Sequence, residues 1–216
     1  METITTKQKE ERNGKKPMKI LNLYAGVGGN RKLWGDEHEV TAVENEQYIA
    51  DVYKELHPND KVVVADAHQY LLDHYKEFDF IWASPPCPSH SRIRLTHKTK
   101  STKPVYPDMQ LYEEIIFLKH MYDGDWVVEN VIPYYKPLIA PTVILDRHCI
   151  WSNKPIQEKE FNRGYSVDLT RQVGSRDTLT VAYGIQLPEG TKNQRKLLRN
   201  MVLPEMGNYV LEEIKK

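Results

Sequence analysis

The chain has 216 residues, 40% of them hydrophobic, and its 30 basic and 30 acidic residues give a formal net charge of zero. This length supports one good hydrophobic core and is marginal for two, so we expect a single domain. A net charge of zero excludes attraction to nucleic acid by the field of the whole molecule, so any such attraction must come from local patches. Two cysteines, Cys87 and Cys149, are too few for a disulfide-rich scaffold.

The N-terminus lacks the apolar segment of a secretory signal, and no apolar run approaches the roughly 18 residues that a membrane helix needs. We therefore expect a soluble, cytoplasmic protein that makes no membrane contact. Residues 1–17, METITTKQKEERNGKKP, are polar, lysine-rich and without periodicity, which favours a flexible basic tail. A weak nucleic-acid-binding arm is the alternative for this segment.

Short apolar runs alternate with helical patterns over residues 19–130. The predicted strands are KILNLY (19–24), EVTAVE (39–44), KVVVAD (61–66), FDFIWA (78–83) and DWVVEN (125–130). The helical patterns between them are NEQYIADVYKELH (45–57), HQYLLDHYKEF (68–78) and YPDMQLYEEIIFLKHMY (106–122). Strands that are apolar on both faces and alternate with helices predict a doubly wound, mostly parallel α/β sheet that is covered on both sides.

Beyond residue 140 the alternation is looser. TVILD, HCIWSN and DTLTVAYG are interpreted as strands, and LPEMGNYVLEEIKK, from about residue 203, as a long helix. In a doubly wound sheet, ligands bind at the carboxyl ends of the strands, near the point where the strand order reverses. The residues that directly follow the strands are therefore the candidates for function, and residues 18–216 are expected to form one domain around them.

A glycine-rich stretch, LYAGVGGN, follows the first strand. Gly26, Gly28 and Gly29 let the backbone approach a ligand closely before a helix begins. The dinucleotide fingerprint requires a further glycine where this chain has Arg31. A pyrophosphate cradle is therefore disfavoured.

Acidic residues end the next two strands. Glu44 is placed to accept hydrogen bonds from ribose hydroxyls, and Asp66 to accept one from an adenine amino group. Each acid alone has a simpler interpretation as a helix cap. Together with the glycine stretch they describe a nucleoside that is held without phosphates, and S-adenosylmethionine is such a ligand.

The fourth strand runs into SPPCPSHSR, where prolines flank Cys87. Because the prolines nearly fix the backbone, the sulfur is presented at one place beside the crevice, which suits a nucleophile. His90, Arg92 and Arg94 follow at once, and positive neighbours favour the reactive thiolate. A packed, inert cysteine is the alternative.

The fifth strand ends in VVENV, which places Glu129 at the neighbouring strand end. A glutamate in such an apolar strand is costly to bury without a partner. We expect its pKa to be raised, which suits a carboxyl that shares a proton with a heterocycle.

The motifs YAGVGG, VENE, ADA, SPPCPSHS and VVENV, in this order and spacing, resemble motifs I, II, III, IV and VI of the cytosine-5 DNA methyltransferases. The match covers most of residues 19–131. It implies the Rossmann-like fold of S-adenosylmethionine-dependent methyltransferases, without a metal ion, and makes Cys87 and Glu129 catalytic. By position in these motifs, the cofactor-binding residues are Tyr24, Ala25, Gly26, Gly28, Gly29, Glu44, Asn45, Asp66, Ala67 and Pro86.

The family's chemistry gives both catalytic residues a role. Carbon 5 of cytosine is too weak a nucleophile to attack a sulfonium methyl, so Cys87 adds to carbon 6 while Glu129 hydrogen-bonds ring nitrogen 3 and the amino group. Carbon 5 then takes the methyl group, a base removes its proton, and elimination frees the cysteine. The target base must leave its stack, so the expected substrate is a flipped cytosine in double-stranded DNA, or single-stranded DNA.

ILDRHCIWSN resembles motif VIII, in which two arginines one residue apart contact the target base and the backbone. Arg147 matches the first and is the third catalytic candidate. Cys149 stands where the second would be, so that contact is missing or is supplied by His148 or another group. Cys149 itself is most simply a packed strand residue.

DTLTVAYG and NQRKLLRNMVLPEMGNYV resemble motifs IX and X. Asn200 and Val202 match the Asn-x-Val that closes over the methionine part of the cofactor, although Arg199 replaces the family's usual glycine. The Gly-Asn in MGNYV (206–210) is an alternative match.

Two departures from the family concern DNA recognition. Pro88 takes the usual glutamine place of motif IV, as in a compact, phage-like branch, and only about residues 154–175 are available for a recognition region. Readout must be short or come from elsewhere, including a separate recognition subunit. The basic loop RIRLTHKTKSTKP (92–104) and NRGYSVDLTRQVGSR (162–176) are the candidate contact segments. The candidate DNA-binding residues are Ser89, His90, Arg92, Arg94, Lys98, Lys100, Asn130 and Arg163.

The leading hypothesis is a DNA cytosine-5 methyltransferase of a bacterial or phage-infected cell. The same chemistry on RNA or a free nucleotide is one alternative, and a catalytically inactive methyltransferase-like binding module is another. An amino-methylating DNA enzyme is disfavoured because SPPC lacks the aromatic residue that would stack on the base.

Overall fold

The computed structural model describes residues 17–92, 105–161 and 176–216. Within these ranges the strands are β1 Lys19–Leu23, β2 Glu39–Glu44, β3 Lys61–Val64, β4 Phe80–Ala83, β5 Asp125–Val131, β6 Val143–Leu145 and β7 His148–Ser152. The α-helices are α1 Gln47–Leu56, α2 Ala67–His74, α3 Gln110–Met121, α4 Arg176–Tyr183, α5 Gln194–Arg199 and α6 Pro204–Ile214. Two short 3₁₀ helices cover Asn30–Leu33 and Tyr75–Glu77.

The strands form one sheet in the order β3-β2-β1-β4-β5-β7-β6. The first five of these are parallel, whereas β7 runs antiparallel to both β5 and β6. The predicted doubly wound, mostly parallel α/β sheet is therefore confirmed. The strand order reverses between β1 and β4, and the parallel strands all end at the same edge of the sheet, so the residues that follow them share one crevice.

Both faces of the sheet are covered. On one face, Trp34 and Trp82 pack with the apolar side of α6, and the indole Nε1 of Trp34 donates a hydrogen bond of 3.1 Å to the carbonyl of Gly207. On the other face, Leu71 from α2 and Ile115 from α3 pack against β1 and β4. Strands buried on both sides explain why their sequences are continuously apolar.

The interpretation of DTLTVAYG as a strand is wrong, because residues 176–183 form α4. Threonine and valine favour strands locally, but the buried side chains recur at helical spacing. Leu179 and Tyr183 are buried and Ala182 is partly buried, whereas Val181 is 83% exposed. Packing of one helical face therefore overrides the local preference.

Several predicted features lie outside the described residues. These are positions 1–16 of the predicted tail and most of the predicted recognition region, together with Arg94, Lys98, Lys100 and Arg163. Among the helices that are described, none has the length and apolarity needed to cross a membrane.

Candidate active site

The glycine-rich loop after β1 turns sharply where a ligand would approach. Tyr24, Gly26 and Gly28 have positive φ angles of 55°, 54° and 78°. A Cβ atom on Gly26 would meet nothing within 4 Å, whereas one on Gly29 would lie 2.6 Å from the carbonyl oxygen of Val202. The loop therefore has open space beside Gly26 and touches, at Gly29, the segment predicted to close over the methionine part of the cofactor.

Glu44 ties this loop to the start of α1. Its Oε2 accepts a hydrogen bond of 3.0 Å from the backbone N–H of Gly26, and its Oε1 accepts from the N–H groups of Asn45 and Glu46 at 3.0 and 3.2 Å. The carboxylate is buried, and its acceptor capacity exceeds these three bonds. Glu44 thus positions the glycine loop while retaining capacity to accept a further hydrogen bond, as the predicted contact with a ribose hydroxyl requires.

Asp66 is the N-cap of α2. Its Oδ1 accepts a hydrogen bond of 2.8 Å from the backbone N–H of Gln69, and the side chain is exposed. The capping interpretation is thus correct for one oxygen, and the carboxylate remains accessible to a ligand at the same sheet edge. Ala67, beside it, is buried in the first turn of the helix.

A buried glutamate that was not predicted from the sequence holds Tyr24. Glu114 of α3 has no exposed surface, and its Oε1 accepts hydrogen bonds from the Tyr24 hydroxyl at 2.5 Å and from Nδ1 of His68 at 3.2 Å. Burial raises the pKa of Glu114, and these two partners oppose that rise. Buried Leu111, Ile115 and Leu118 of α3 place position 114 on the same apolar face, so helical spacing could have identified it.

Arg31, which follows the glycine loop, is buried in an ion pair. The residue is 3% exposed, and its guanidinium forms a double hydrogen bond with Asp60, which also accepts a bond of 2.7 Å from the Tyr53 hydroxyl. Because this cation is already paired, it supplies no phosphate site. Carboxylates at two adjacent strand ends, without a phosphate cradle, fit a nucleoside cofactor such as S-adenosylmethionine.

The loop that carries Cys87 is fixed from both sides. The carbonyl of Cys87 accepts hydrogen bonds from the backbone N–H groups of His90 at 3.0 Å and Ser91 at 3.1 Å, which forms a turn directly after the cysteine. Before it, the carbonyl of Pro85 accepts a bond of 2.9 Å from the side-chain amide of Asn130. The exposed Pro86 and half-buried Cys87 stand between these two anchors.

The thiol is not activated as predicted. Burial raises the pKa of the Cys87 thiol, the charge of Glu129 raises it further, and the charges of Arg147 and Arg199 oppose both. The predicted net activation by basic neighbours is therefore not found among the described residues, where burial and Glu129 outweigh Arg147 and Arg199. Arg94 lies outside those residues.

Two candidate DNA-binding residues have structural roles instead. His90 is fully buried, its Nδ1 forms a hydrogen bond of 2.6 Å with the Tyr135 hydroxyl, and burial lowers its pKa. Asn130 is 1% exposed, with its amide on Pro85 and its carbonyl accepting from the N–H of Val131. Neither presents surface to a nucleic acid, so both predictions are corrected.

The two remaining candidates next to Cys87 reach the surface. The hydroxyl of Ser89 accepts a hydrogen bond of 3.0 Å from the N–H of Asp108, which fixes the start of the segment that leads into α3. Arg92 is exposed, and its Nε donates a bond of 3.3 Å to the carbonyl of Pro133. Both residues tie neighbouring loops together at the mouth of the crevice.

Glu129 has a partner that was not assigned to it from the sequence. Its Oε1 lies 2.5 Å from Nδ1 of His148 on the antiparallel strand β7, and both side chains are buried. Burial alone would raise the pKa of Glu129, but the charge and hydrogen bond of His148, a hydrogen bond from Ser84 and the charge of Arg147 lower it below its ordinary value. The predicted raised pKa is therefore wrong.

The β5–β7 register explains which residue takes the second arginine's place. Asn130 pairs with Cys149, and Glu129 pairs with Ile150, so Cys149 points to the opposite face from Glu129. Cys149 is 1% exposed, in agreement with the packed role predicted for it. His148, rather than Cys149, therefore occupies the position beside the carboxyl of Glu129.

Arg147 links the site to the C-terminal part of the chain. It lies in the turn between β6 and β7, and its Nη2 donates bonds of 3.3 Å to the Tyr183 hydroxyl and to the carbonyl of Arg199. Asn200 follows as the exposed C-cap residue of α5, and Val202 is buried against the glycine loop. The predicted residues of motifs VIII and X thus meet the residues of motifs I, IV and VI at one sheet edge.

Residues 18–131 match the family described as C-5 cytosine-specific DNA methylase, which is more than half of the chain. The chain belongs to this family. S-adenosylmethionine is the cofactor of these methyltransferases, and the residues after β1, β2 and β3 are those that would hold it.

The relatives show the fold and a related chemistry. A tRNA (cytosine(38)-C(5))-methyltransferase from Rattus norvegicus is 28% identical over 85 residues, which are 37% of this chain and only 22% of that protein. A crystal structure of a DNMT2 triple mutant from Spodoptera frugiperda superposes with a TM-score of 0.61 and 15% identity, covering 92% of this chain and 99% of that chain. The second comparison confirms the methyltransferase fold over nearly the whole chain.

Proposed function

We propose that this protein methylates carbon 5 of cytosine in DNA through a covalent bond between Cys87 and the base. The observation that carries the proposal is the placement of Cys87 and Glu129 at the same edge of the paired strands β4 and β5, where the hydrogen bond from Asn130 to Pro85 ties their two segments together. A nucleophile and a proton-holding carboxyl beside a nucleoside site are the groups that this reaction needs.

Each residue has a defined step. The Sγ of Cys87 bonds to carbon 6 as its thiolate, the electrons of the 5,6 double bond move into the ring, and nitrogen 3 receives a proton from the Glu129–His148 pair. S-adenosylmethionine, when bound, supplies the electrophilic methyl group for carbon 5. A base then removes the proton of carbon 5, nitrogen 3 returns its proton, and the Sγ–C6 bond breaks to restore the thiolate.

RNA is the second candidate substrate. It is favoured by the rat relative, whose name states that it acts on tRNA, and by the short interval available for a DNA recognition domain. DNA is placed first because the family that covers residues 18–131 is described as a DNA methylase. We also retain the proposals of a compact, phage-like branch and of a separate recognition subunit.

The test is covalent trapping. Duplex DNA, single-stranded DNA and tRNA, each containing 5-fluorocytosine, are incubated with the protein and labelled S-adenosylmethionine, and adducts are resolved on denaturing gels. Fluorine at carbon 5 cannot leave as a cation, so the Cys87 adduct persists. We expect a DNA adduct that Cys87→Ser abolishes and Cys149→Ala retains. An adduct on tRNA alone would assign the RNA substrate, and no adduct on any substrate would reject the covalent mechanism.

A further inference from the structure

Residues 192–199, named the basic segment below, carry four basic side chains and no acidic one. These are Lys192, Arg195, Lys196 and Arg199. Three of them, Lys192, Lys196 and Arg199, are exposed, and Arg195 is half-buried. Because the chain as a whole has no net charge, the positive charge of this segment is a local feature of the surface.

The start of the basic segment is held beside the predicted ribose end of the cofactor crevice. The hydroxyl of Tyr48 bonds with both the backbone N–H and the carbonyl of Lys192. Tyr48 lies in the first turn of α1, four residues after Glu44. This contact places the beginning of the segment at the carboxyl end of β2.

The end of the basic segment is held beside the nucleophile. The guanidinium of Arg147 donates to the carbonyl of Arg199 at 3.3 Å and to the hydroxyl of Tyr183 at 3.3 Å. The carbonyl of Arg147 accepts a hydrogen bond of 3.1 Å from the N–H of Ile132, directly after β5, so this turn lies at the carboxyl end of the strand that carries Glu129. Burial is the largest influence on the pKa of Cys87, and the charge of Arg199 opposes it. The segment therefore runs along the edge of the sheet where the crevice opens.

We propose that the basic segment binds the phosphate backbone of the DNA strand that carries the target cytosine. The proposal rests on the function proposed above and assigns the surface by which the substrate docks. A base that reaches Cys87 brings its own flanking phosphates to the mouth of the crevice, where exposed cations replace condensed counterions. Such contacts fix the register of the strand without reading its sequence, which suits a chain with few residues available for recognition.

The test compares two triple variants that remove the same charge. One carries Lys192→Gln, Lys196→Gln and Arg199→Gln, and leaves the half-buried Arg195 in place. The control carries Lys61→Gln, Lys76→Gln and Lys119→Gln, which are exposed lysines on β3, the second 3₁₀ helix and α3. Binding of a fluorescein-labelled duplex DNA and of an RNA of equal length is followed by anisotropy between 50 and 200 mM salt.

We expect the first variant to bind DNA at least tenfold more weakly at 100 mM salt and to lose about two to three from the slope of log K against log salt, roughly 0.9 for each phosphate contact. The control should change the affinity less than twofold. Unchanged binding by the first variant, an equal loss in the control, or a loss confined to RNA would overturn the proposal.

The experiments distinguish rejection of the phosphate-binding role of the basic segment from rejection of the proposed methylation of DNA. If wild-type protein traps 5-fluorocytosine DNA while the first variant keeps its affinity and salt slope, the chemistry stands and the surface is rejected. If wild-type protein neither binds nor traps DNA, the function itself is rejected. Binding of S-adenosylmethionine, measured by calorimetry, should be equal in all three proteins and reports that the variants are folded.

Discussion

The side-chain amide of Asn130 donates a hydrogen bond of 2.9 Å to the carbonyl of Pro85. This bond joins the strand that carries Glu129 to the loop that carries Cys87, so the two catalytic candidates share one anchor. The site is thus built as a unit across two strand ends, and its geometry depends on a residue that does not reach the crevice.

Replacing this anchor should slow the reaction. Asn130→Asp keeps an acceptor for the N–H of Val131 but cannot donate to Pro85, so the Cys87 loop should shift. We expect the rate of adduct formation on 5-fluorocytosine DNA to fall roughly ten- to hundred-fold, the range typical of misplaced reacting groups. The matched control is Asn153→Asp, which removes a similar amide bond to Gly124 at the opposite end of β5. Equal rates for the two variants would contradict the positioning role of Asn130.

The raised pKa of Cys87 predicts alkaline activation. Because burial and the charge of Glu129 raise the pKa of the thiol, the thiolate is the minor form at neutral pH. Alkylation of Cys87 by iodoacetamide should therefore accelerate about tenfold per pH unit between pH 6 and 8. Mass spectrometry in a Cys149→Ala background follows this one site.

The charge of Glu129 provides a second test, because removing it should shift the pH dependence of Cys87 alkylation. Glu129→Gln removes the negative charge that raises the thiol pKa, so the midpoint of alkylation should move to lower pH. Glu39→Gln, an exposed acid at the start of β2, should leave the midpoint in place. A midpoint that is identical in all three proteins would show that Glu129 and Cys87 are not coupled.

The buried pair of Arg31 and Asp60 predicts a large loss of stability. Asp60→Asn leaves the 3%-exposed guanidinium without its charged partner, and breaking such a pair costs about 3 kcal/mol or more. Asp36→Asn removes a second acid 3.6 Å from the same guanidinium, but that acid is 80% exposed, and the cost should stay within about 1 kcal/mol. Urea unfolding of both variants measures the difference, and equal losses would refute the assignment of the pair.

α6 lies so close to the backbone of Asn30 that an alanine at position 207 should destabilise the protein. A Cβ at Gly207 would lie 2.4 Å from the carbonyl oxygen of Asn30 and 2.6 Å from its Cα. Both are backbone atoms, so no side-chain rotation can relieve the clash. Gly207→Ala should therefore cost about 1 to 3 kcal/mol despite the better helix propensity of alanine. Glu205→Ala, at an exposed position of the same helix, should change the free energy of unfolding by less than about 1 kcal/mol. A stabilising effect of Gly207→Ala would contradict the close approach.

The sequence predicted those parts of the protein that follow from local pattern. Apolar runs identified every strand of the parallel sheet, and because parallel strands end at one edge, the acids after β2 and β3 could be grouped with Cys87 and Glu129 in advance. The helix α4 was misread because Thr178, Thr180 and Val181 favour strands locally, while the contacts of Leu179 and Tyr183 that decide its structure come from distant residues.

The partners within the site could not be predicted for the same reason. Whether His148 or Cys149 faces Glu129 depends on the register of β7 against β5, and a shift of one residue exchanges the two. The pKa of Glu129 changes direction with that choice, since the expectation of a raised value assumed burial without a charged partner. His90 and Asn130 were assigned to DNA contact because they follow Cys87 and Glu129 in their motifs, yet both side chains are buried.

The contact between Trp34 and Gly207 joins positions 173 residues apart. As the chain is synthesised, Trp34 and the aromatic residues of β4, Phe80 and Trp82, are made long before α6, which covers them. Contacts of such long range close slowly because a large loop must be ordered before they form. The surface formed by Trp34 and Trp82 therefore stays uncovered until residues 204–214 have been synthesised, and exposed apolar surface of this kind favours aggregation.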